Sequence, residues 1–399
     1  MNVCVLAYSF YESDTRILQY TRALLERGDT VDVFALRREG AARFEVLDGA
    51  NVYRIQSRKI NERNRLSYLI RILRFVFVST FVLGRRHFSN PYQIIHVHSV
   101  PDFLVFAAAL PKLLGARVIL DIHDILPEFY CSKFGVGVDS ALFKGLVLTE
   151  RLSIGFSDHV IIANHLWRQR LLSRSVGLNK CTTIINYPDP RMFYPRPKGI
   201  NSGSFLITYP GTLNHHQGLD IAIRAFAKVA SEMADTQFHI YGEGPAKNPL
   251  RHMTDELGLS RRVIFHDFLP TDQIAEIMAT SDLAIVPKRA SSAFGNEAAS
   301  TKIMEFMALG VPLIVSRTKI DSFYHDDSVV KFFESENVAD LAECILLLWQ
   351  NPRLREKLVE NALEYVHRNS WQEKKREYLS LVDALTLPAT TVEKCDSQC

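Results

Sequence analysis

Residues 294–316 have the sequence FGNEAASTKIMEFMALGVPLIVS, in which a loop, a helix and a short buried strand follow one another. Ser300 is expected to be the N-cap of the helix, and Gly310 is expected to end it before the strand begins. A helix N-terminus offers free backbone N–H groups and a partial positive charge, which suit a phosphate. Glu297 before the helix start and Glu305 in its first turns therefore place an acceptor group on either side of a phosphate site.

This order of groups matches a nucleotide-sugar, in which phosphate lies in the middle and hydroxyl groups lie on either side. Glu297 and Glu305 are eight positions apart. Two glutamates at that spacing are also common on solvated helix surfaces, so the spacing alone leaves that alternative open.

Composition places the chain among ordinary globular proteins. It has 399 residues, of which 47% are hydrophobic and 23% charged, so two or three domains are expected. The net charge of +3 is too small to call for a nucleic-acid partner.

None of the six cysteines forms a C-x2-C pair: Cys4, Cys131, Cys181, Cys344, Cys395 and Cys399. We therefore expect no zinc site, a reducing compartment and, since Met1 leads straight into an apolar strand, no secretory leader. These features favour a cytoplasmic protein.

Short β-branched runs alternate with helical stretches along the whole chain, which predicts an α/β fold with parallel sheets covered on both faces. Residues 1–190 are expected to form one Rossmann-like domain and residues 205–368 a second one. Residues 191–204 are rich in Pro, Gly and Ser and are expected to be a linker. Residues 369–399 are expected to be a helix that packs back toward the N-terminal domain, followed by a frayed tail. Two doubly wound domains joined by one linker predict a cleft, with ligands at the carboxyl ends of the strands.

In the second half, polar clusters follow the predicted strands. Gly211 and Gly242 come directly after two of them, where glycine allows backbone to approach a ligand closely. Lys288 and Arg289 follow another, upstream of the helix that starts at Ser300, and two cations there can neutralise a diphosphate. Each glycine alone is more simply a turn residue, but all of these loops fall on one edge of the predicted sheet.

In the first half, the segment DIHDILPEF begins at Asp121, and His123 and Asp124 lie just past a buried strand. His96 and His98 point to one face of another strand, a pattern that can ligate a metal and suggests a metal-dependent hydrolase. Because Asp102 is the only nearby carboxylate, His98 and Asp102 more simply line an acceptor site.

Two further segments leave alternatives open. Asp14 caps the first helix or, with Arg16, contacts an acceptor, where Arg16 would bind a phosphate. Residues 63–86 form an apolar helix set among arginines, which suits a membrane surface better than a crossing. That helix could equally pack inside its domain with solvated arginines.

Taken together, the E-x7-E segment, the G-T-L loop at Gly211, the Y-G-E-G-P turn and the F-L-P turn resemble the GT-B retaining glycosyltransferases of family 4. The N-terminal half also fits the acceptor domain of that family. The resemblance implies a GT-B architecture of two doubly wound Rossmann-like domains facing a cleft. It further implies transfer of a hexose from a UDP- or GDP-sugar to a saccharide acceptor. A lipid-linked acceptor is implied as well, since bacterial members of the family commonly build capsule, exopolysaccharide or lipopolysaccharide.

The resemblance also implies a role for each matching residue. Glu305 would accept hydrogen bonds from ribose hydroxyls, Glu297 would hold hydroxyls of the hexose, and Leu269 would lie against the base. Other implied donor contacts are Gly211, Thr212, Gly242, Lys288, Arg289, Ala299, Ser300, Thr301 and Lys302. Implied catalytic residues are His123, Glu297 and Arg289. Implied acceptor contacts are Asp14, Arg16, His98, Asp102, Asp124 and Glu128.

The chain departs from the family at Gln217, where many relatives have a lysine that binds phosphate. His215, His216, Lys288 or Arg289 would have to replace it. No Asp-x-Asp motif follows a strand, so we expect a metal-independent enzyme without a cofactor, in which cations and the helix N-terminus stabilise the leaving diphosphate.

Two other classes of function remain open on the sequence. One is a nucleotide-sugar epimerase or hydrolase on the same fold, which would need no acceptor. The other is a non-catalytic partner subunit, against which the presence of Glu297, Glu305 and Lys302 argues.

Overall fold

The computed structural model describes residues 1–58, 65–135, 137–197 and 203–387. The chain divides into two compact units. Unit 1 runs to Asn186 and resumes at Trp371, and unit 2 runs from Tyr187 to Ser370. Part of the predicted linker 191–204 and the whole of the predicted frayed tail 395–399 lie outside the described residues.

Unit 1 is built on an eight-stranded sheet in the order β3-β4-β2-β1-β5-β6-β7-β8. Its strands are β1 (Asn2–Ala7), β2 (Thr30–Arg37), β3 (Phe44–Leu47), β4 (Ala50–Ser57), β5 (Ile94–His98), β6 (Arg117–Ile122), β7 (His159–Ile162) and β8 (Cys181–Thr183). All neighbouring strands are parallel except β3 and β4, which form an antiparallel hairpin at the edge.

The helices of unit 1 cover the faces of this sheet. They are α1 (Thr15–Arg27), α2 (Arg65–Ser89), α3 (Ala109–Leu113), α4 (Leu126–Phe134), α5 (Ala141–Phe156), α6 (His165–Arg174) and, after unit 2, α15 (Trp371–Thr386). Short 3-10 helices occur at Tyr11–Ser13, Asp102–Ala108 and Leu178–Lys180. The chain-terminal α15 packs on α1, where the ring of Tyr378 lies 4.5 Å from that of Tyr20 and Arg27 pairs with Asp383 at 2.7 Å.

Unit 2 is built on a six-stranded, fully parallel sheet in the order β11-β10-β9-β12-β13-β14. Its strands are β9 (Phe205–Pro210), β10 (Thr236–Tyr241), β11 (Val263–His266), β12 (Leu283–Val286), β13 (Leu313–Ser316) and β14 (Lys331–Phe333). Its helices are α7 (Leu219–Val229), α8 (Lys247–Glu256), α9 (Thr271–Ala279), α10 (Ala293–Glu297), α11 (Thr301–Ala308), α12 (Asp321–Tyr324), α13 (Val338–Gln350) and α14 (Pro352–Arg368), with a 3-10 turn at His215–Gln217.

The core of unit 2 shows why its strands are continuously apolar. Leu283 and Ile285 of β12 belong to the hydrophobic cluster on one face of the sheet, and Ala284 and Val286 belong to the cluster on the other. Successive strand side chains point to opposite faces, so burial of both sets requires helices on both sides. The prediction of parallel-sheet Rossmann-like domains is thereby confirmed.

The sequence reasoning missed three strands of unit 1 and shifted one of unit 2. The hairpin strand β3 has three exposed residues, and its fourth, Leu47, is half-buried, so it carries little apolar signal. The β4 and β8 strands were also missed. The apolar run from Val329 to Phe332 predicts a strand, and the strand in the structure, β14, begins two residues later and covers Lys331–Phe333.

In both sheets the strand order reverses at one point, and this fixes where a ligand can bind. In unit 1, β1 has β2 on one side and β5 on the other, and in unit 2, β9 has β10 on one side and β12 on the other. A crevice forms outside the carboxyl ends of parallel strands at such a switch point. The loops after β1 and β5, and those after β9 and β12, are therefore the places to search for a site.

Candidate active site

In unit 2, the start of α11 is prepared for an anion. Ser300 is the N-cap, as the sequence predicts, but its hydroxyl makes no capping hydrogen bond. Ser300 Oγ is buried and has no hydrogen-bond partner among the described residues, while Ala299 and Thr301 on either side are exposed. A helix start without a side-chain cap leaves backbone donors for a ligand.

Lys302 brings a positive charge to the same point. Its side chain lies over the loop after β9, where a Cβ added to Gly211 would be 2.4 Å from Lys302 Cε, and its Nζ lies 5.3 Å from the ring centre of Tyr209. Among the described residues its ammonium group has no hydrogen bond or ion pair. Burial lowers the pKa of Lys302 to about 8, the charge of Lys288 adds to this, and Glu305 opposes it.

Gly242 allows the loop after β10 to contact the loop after β9. A Cβ at Gly242, whose φ is 144°, would lie 1.9 Å from the carbonyl oxygen of Gly211. No side chain fits there, so the loops after β9 and β10 can touch only if this position is glycine. The expectation that Gly242 lets backbone approach a ligand is thus incomplete, because its first role is to seat the Gly211 loop.

Lys288 is held in place by a buried ion pair. Its Nζ lies 2.8 Å from Asp321 Oδ2, with both side chains 3% exposed, and it donates to the carbonyl oxygen of Ala298 at 2.8 Å. Removing either partner of such a pair leaves a buried charge and costs about 3–5 kcal/mol. Lys288 therefore fixes the segment that leads into α11, and its charge is largely balanced.

Arg289 points away from this cluster. Its guanidinium pairs with Asp220 at 2.5 Å and Glu336 at 2.8 Å, and it also donates to the carbonyl oxygen of His215. With two carboxylates in contact, Arg289 is poorly placed to act as the catalytic cation or the phosphate ligand that the resemblance implied. The structure assigns it instead to joining β12 to α7.

The two glutamates of the E-x7-E segment occupy different environments. Glu297 is buried and pairs with Lys319 at 3.2 Å. Glu305 is half-buried one turn into α11, and burial raises its pKa, although the charge of Lys302 and the hydroxyl of Thr301 act in the opposite direction. Glu297 and Glu305 thus lie before and after the helix start, as the sequence predicts.

The other expected donor contacts lie on loops of the same sheet edge. Thr212 is exposed in the Gly211 loop, and Leu269 is half-buried after β11. Gln217, at the position where the family resemblance implied a lysine, accepts a hydrogen bond from Tyr209 at 3.1 Å. Burial, reinforced by the charges of Lys302 and Lys288, lowers the pKa of His216. Lys302 lies over the ring of Tyr209, whose hydroxyl binds Gln217, and unlike Lys288 and Arg289 it has no ion pair among the described residues.

Unit 1 holds a separate pocket of about 240 Å³ at its switch point. It is lined by the loops that follow β1, β4, β5 and β6: Ala7, Tyr8, Ser9, Asp14, Arg58, Tyr68, His98, Ser99, Val100, His123 and Asp124. Four of the predicted residues thus come together there, namely Asp14, His98, His123 and Asp124.

A buried ion pair lies directly beneath this pocket. Arg16 of α1 donates to both carboxylate oxygens of Asp121 on β6, each at 2.7 Å, and both side chains are almost fully buried. Arg16 also donates to the carbonyl oxygen of Ile184 and to Asn186. With its donors occupied, Arg16 is not the acceptor-phosphate ligand that was considered, but the residue that neutralises Asp121.

Three histidines surround the same carboxylate. His123 Nε2 lies 3.4 Å from Asp121 Oδ2 and 3.1 Å from His98 Nδ1, and His98 Nδ1 lies 3.3 Å from Asp121 Oδ2. His96 is stacked on His98 and contacts the hydroxyl of Tyr378 through Nδ1. The partners of His123 fix its ring at the rim of the pocket.

The cluster separates the pKa values of its members. Burial lowers the pKa values of His96 and His98. Burial also opposes the charged form of His123, but the charge of Asp121 and its hydrogen bond outweigh burial and raise the pKa of His123. Burial opposes ionisation of Asp121 as well, yet Arg16 and His123 hold its pKa well below the ordinary value. Asp121 therefore favours one protonated histidine, at the pocket.

His96, His98 and Asp121 offer three potential metal ligands whose atoms lie within 4.8 Å of one another. Both oxygens of Asp121, however, already accept hydrogen bonds from Arg16. A divalent cation would have to share this carboxylate with a guanidinium group, so the donor set fits a metal poorly.

Asp14 and Glu128 have structural partners, and Asp102 is buried and does not line the pocket, so a role in acceptor binding is not supported for Asp102. Asp14 caps α1 by accepting from the backbone N–H of Ile17, and it also lines the pocket. Burial raises the pKa of Asp102 to about 7. Glu128 pairs with Arg174 at 2.5 Å and does not line the pocket, so a role in acceptor binding is not supported for it.

Sequence reasoning missed Asp321, Lys319 and Arg58 as parts of these two sites. Lys319 lies in the loop after β13 and Asp321 begins α12. Neither belongs to a motif, and only the fold brings them to Glu297 and Lys288. Arg58 lies over the rings of Tyr8 and Tyr68, at 5.2 Å and 5.3 Å from their centres. An arginine just after a strand of the first half was the available signal for it.

Comparisons with known proteins give the same division of the chain. A family model described as "Glycosyl transferase 4-like domain" matches residues 13–186, and one described as "Glycosyl transferases group 1" matches residues 191–365. Among curated proteins, an uncharacterized glycosyltransferase of Methanocaldococcus jannaschii, MJ1607, is 23% identical over 375 residues, which cover 90% of each chain.

Solved structures share the fold over nearly the full length. Sucrose-phosphate synthase from Thermosynechococcus elongatus superposes with a TM-score of 0.76 at 16% identity, covering 96% of this chain and 99% of that one. Anabaena Alr3699/HepE, solved in complex with UDP-glucose, gives a TM-score of 0.70 at 16% identity and covers 96% and 100% of the two chains. At these identities the likeness establishes the fold.

The histidine cluster predicts a distinct titration. In NMR pH titrations of the wild-type protein, we expect one ring signal with a pKa above 6.5 from His123, and signals below 6.5 from His96 and His98. Because its folded-state pKa is raised, His123 stabilises the fold below its unfolded pKa, and this contribution is lost as pH rises through the folded value. His123→Gln should remove the high-pKa signal, and its persistence in that variant would refute the assignment.

Lys302 is expected to carry much of the affinity for a diphosphate. Lys302→Met should weaken binding of UDP or GDP by about ten- to hundredfold, since a hydrogen bond to a charged group is worth about 1.5–3 kcal/mol. Isothermal titration calorimetry measures this directly. The matched control is Lys228→Met, which alters an exposed lysine of α7. Unchanged affinity in Lys302→Met would show that the diphosphate binds elsewhere.

Proposed function

The chain belongs to the GT-B glycosyltransferases of the family 4 type, and we propose that it transfers a hexose from a nucleoside-diphosphate sugar to a saccharide with retention at the anomeric carbon. The observation that carries this proposal is the start of α11, where Lys302, the uncapped Ser300 and the Gly211 loop converge. A site of this kind matches a diphosphate flanked by sugars. The complex of Anabaena Alr3699/HepE with UDP-glucose supports this class of donor.

The donor is proposed to bind across this helix start. The diphosphate accepts hydrogen bonds from backbone N–H groups near Ala299 to Thr301 and from Lys302. Glu305 accepts hydrogen bonds from the ribose hydroxyls and Glu297 from those of the hexose. Lys302 is partly desolvated and has no ion pair with any residue that the structure describes, so a bound diphosphate would supply the negative charge that favours its protonated form.

The transfer step needs stabilisation of the leaving nucleoside diphosphate. The acceptor hydroxyl oxygen forms a bond to the anomeric carbon while the bond from that carbon to the β-phosphate oxygen breaks. The bonding electron pair leaves with the phosphate, and the hydroxyl proton passes to a phosphate oxygen on the same face. Lys302 and the N-terminus of α11 stabilise the charge that develops. We propose that this replaces a metal ion.

The unit 1 pocket is proposed to serve the sugars. His123 lines it with a raised pKa, so its protonated ring can donate a hydrogen bond to a hexose hydroxyl. Asp14, His98 and Asp124 line the same pocket and offer groups for the acceptor. No side chain is assigned as a nucleophile, because retention by attack on the same face requires none.

The acceptor is proposed to be lipid-linked, at the cytoplasmic face of a membrane, in the biosynthesis of a bacterial capsule, exopolysaccharide or lipopolysaccharide. Within the described residues, one helix, Ser67–Ser89 in α2, is long and apolar enough to cross a membrane, judged by length and composition only. Ile72, Phe75 and Leu83 on one face of α2 are buried in unit 1. A helix fixed on one face by its own domain is better placed to lie on a membrane than to cross it.

One assay with a panel of nucleotide-sugars tests the reaction and its rivals. Wild-type protein is incubated with UDP- and GDP-sugars, with and without membrane extract, in EDTA or in magnesium. We expect release of nucleoside diphosphate from one donor, dependent on the extract and unaffected by EDTA. Release or epimerisation without any acceptor would instead identify a hydrolase or an epimerase. Activity lost in EDTA and restored by magnesium would overturn metal independence.

Glu305→Ala provides the site-specific arm of this assay. Turnover should fall about a hundredfold, since two hydrogen bonds to a charged group contribute about 3 kcal/mol. The matched control is Glu360→Ala, which alters an exposed glutamate of α14. Normal turnover by Glu305→Ala would contradict the assignment of the donor site.

Membrane contact through α2 is tested by fractionation. Phe77 and Phe81 are 76% and 67% exposed, and each is worth about 1.5–3 kcal/mol when buried in lipid. Phe77→Ser/Phe81→Ser should move the protein from the membrane to the soluble fraction. Phe323→Ser, which alters an exposed residue of unit 2, should leave the distribution unchanged. An unchanged distribution for the double variant would contradict docking through this face.

A further inference from the structure

A groove of about 750 Å³ lies in unit 1 between the β3–β4 hairpin and α2. It is lined by five arginines together with apolar side chains and small polar ones. The lining residues are Arg37, Arg43, Arg54, Arg71 and Arg74, with Phe44, Tyr53, Ile55, Gln56, Ser57, Val78 and Val82. No residue of the proposed donor site or of the pocket at His123 lines this groove.

Most of the positive charge in the groove is uncompensated. Arg54 is neutralised, because it pairs with Glu12 and with Glu45. Arg37, Arg43 and Arg74, in contrast, make no hydrogen bond or ion pair through their guanidinium groups with any described residue. Three unpaired guanidinium groups on one concave surface favour a multiply charged anion, and the guanidinium fork matches phosphate geometry.

The groove changes from basic to apolar along α2. Arg71, Arg74, Val78 and Val82 are spaced three or four residues apart, so they follow one face of the helix. With a rise of 1.5 Å per residue, the eleven steps from Arg71 to Val82 span about 16 Å. That length accommodates a phosphate or diphosphate at one end and a segment of apolar chain at the other.

The apolar end continues onto an exposed surface. Ile70, Leu73, Phe77 and Phe81 form the neighbouring stripe of α2, and their exposed fractions are 57%, 52%, 76% and 67%. Each lies one position before a groove residue, which places the stripe about 100° around the helix from the groove. An apolar chain that leaves the groove therefore meets an apolar surface at once.

We propose that this groove binds the diphosphate of a lipid carrier, with the arginines on the phosphates and the isoprenoid chain along Val78, Val82 and the exposed stripe of α2. A free nucleotide or sugar phosphate would leave the apolar half of the groove unused. This deepens the proposed function, on which it rests for the saccharide that the carrier bears.

The location of the groove suits an acceptor bound in this way. The α2 helix borders both cavities, since its Tyr68 lines the pocket at His123 and its Arg71 and Arg74 line the groove. The end of β4 also borders both cavities, since Ser57 lines the groove and the next residue, Arg58, lines the pocket. A saccharide attached to a diphosphate in the groove thus starts next to the pocket assigned to the acceptor.

The test measures binding of farnesyl diphosphate by calorimetry, with farnesol and inorganic diphosphate as partial ligands. Wild-type protein should bind farnesyl diphosphate at least about tenfold more tightly than either partial ligand. Arg37→Gln/Arg74→Gln should weaken that binding at least about tenfold, because each removes a charge-assisted bond to phosphate. The matched control is Arg85→Gln, an exposed arginine of α2 outside the groove, which should bind as wild type does.

Three outcomes would overturn the proposal. The first is that the double variant binds farnesyl diphosphate as tightly as wild type does. The second is that wild type binds inorganic diphosphate as tightly as farnesyl diphosphate. The third is that the protein binds phosphatidylglycerol vesicles through these arginines and that farnesyl diphosphate does not compete with the vesicles. Thermal unfolding of each variant establishes that it is folded. Nucleotide-sugar turnover is measured in parallel: if wild type binds farnesyl diphosphate but turns over no donor, the groove stands and the proposed transfer fails.

Discussion

Each unit holds a cation and a carboxylate that are buried together where the strands end. In unit 1, Arg16 neutralises Asp121 below the pocket, and in unit 2, Lys288 is paired with Asp321 below the start of α11. Neither pair is accessible enough to bind substrate. Buried pairs contribute little net stability relative to apolar residues, but breaking one by removing a partner costs about 3–5 kcal/mol. Their importance here is that they fix the position and charge of the accessible group beside them.

The groups left for chemistry are those that these pairs orient without neutralising. Asp121 holds the ring of His123 and raises its pKa, so the pocket has a histidine suited to donating a hydrogen bond. Lys288 anchors the segment that leads into α11 through the carbonyl oxygen of Ala298. Lys302, over the Gly211 loop, has no ion pair within the described part of the chain. The same contrast marks the groove beside α2, where Arg54 is paired with two glutamates while the guanidinium groups of Arg37, Arg43 and Arg74 have no partner among the described residues.

The fold was largely predictable because parallel sheets buried on both faces leave continuous apolar runs with polar loops after them. The positions of Glu297, Glu305 and His123 followed from the same regularity. The sequence did not indicate which of the basic residues are paired with carboxylates in the folded protein. Arg289 looked as suitable as Lys302 for a phosphate, but its two carboxylate partners come from α7 and from the loop after β14, which no local pattern connects to it. The exposed β3 strand escaped prediction because its mostly exposed side chains carry little apolar periodicity.

The central claim is that the start of α11 binds the donor diphosphate, and hydrogen–deuterium exchange with and without UDP or GDP tests it most directly. The first amides of a helix have no intrahelical acceptor, so those near Ala299 to Lys302 should exchange rapidly in the free protein and slow down when the diphosphate accepts their hydrogen bonds. The account predicts nucleotide-dependent protection in peptides that cover residues 298–303 and 209–213. Protection confined to the surroundings of Arg289, with none at the start of α11, would contradict it.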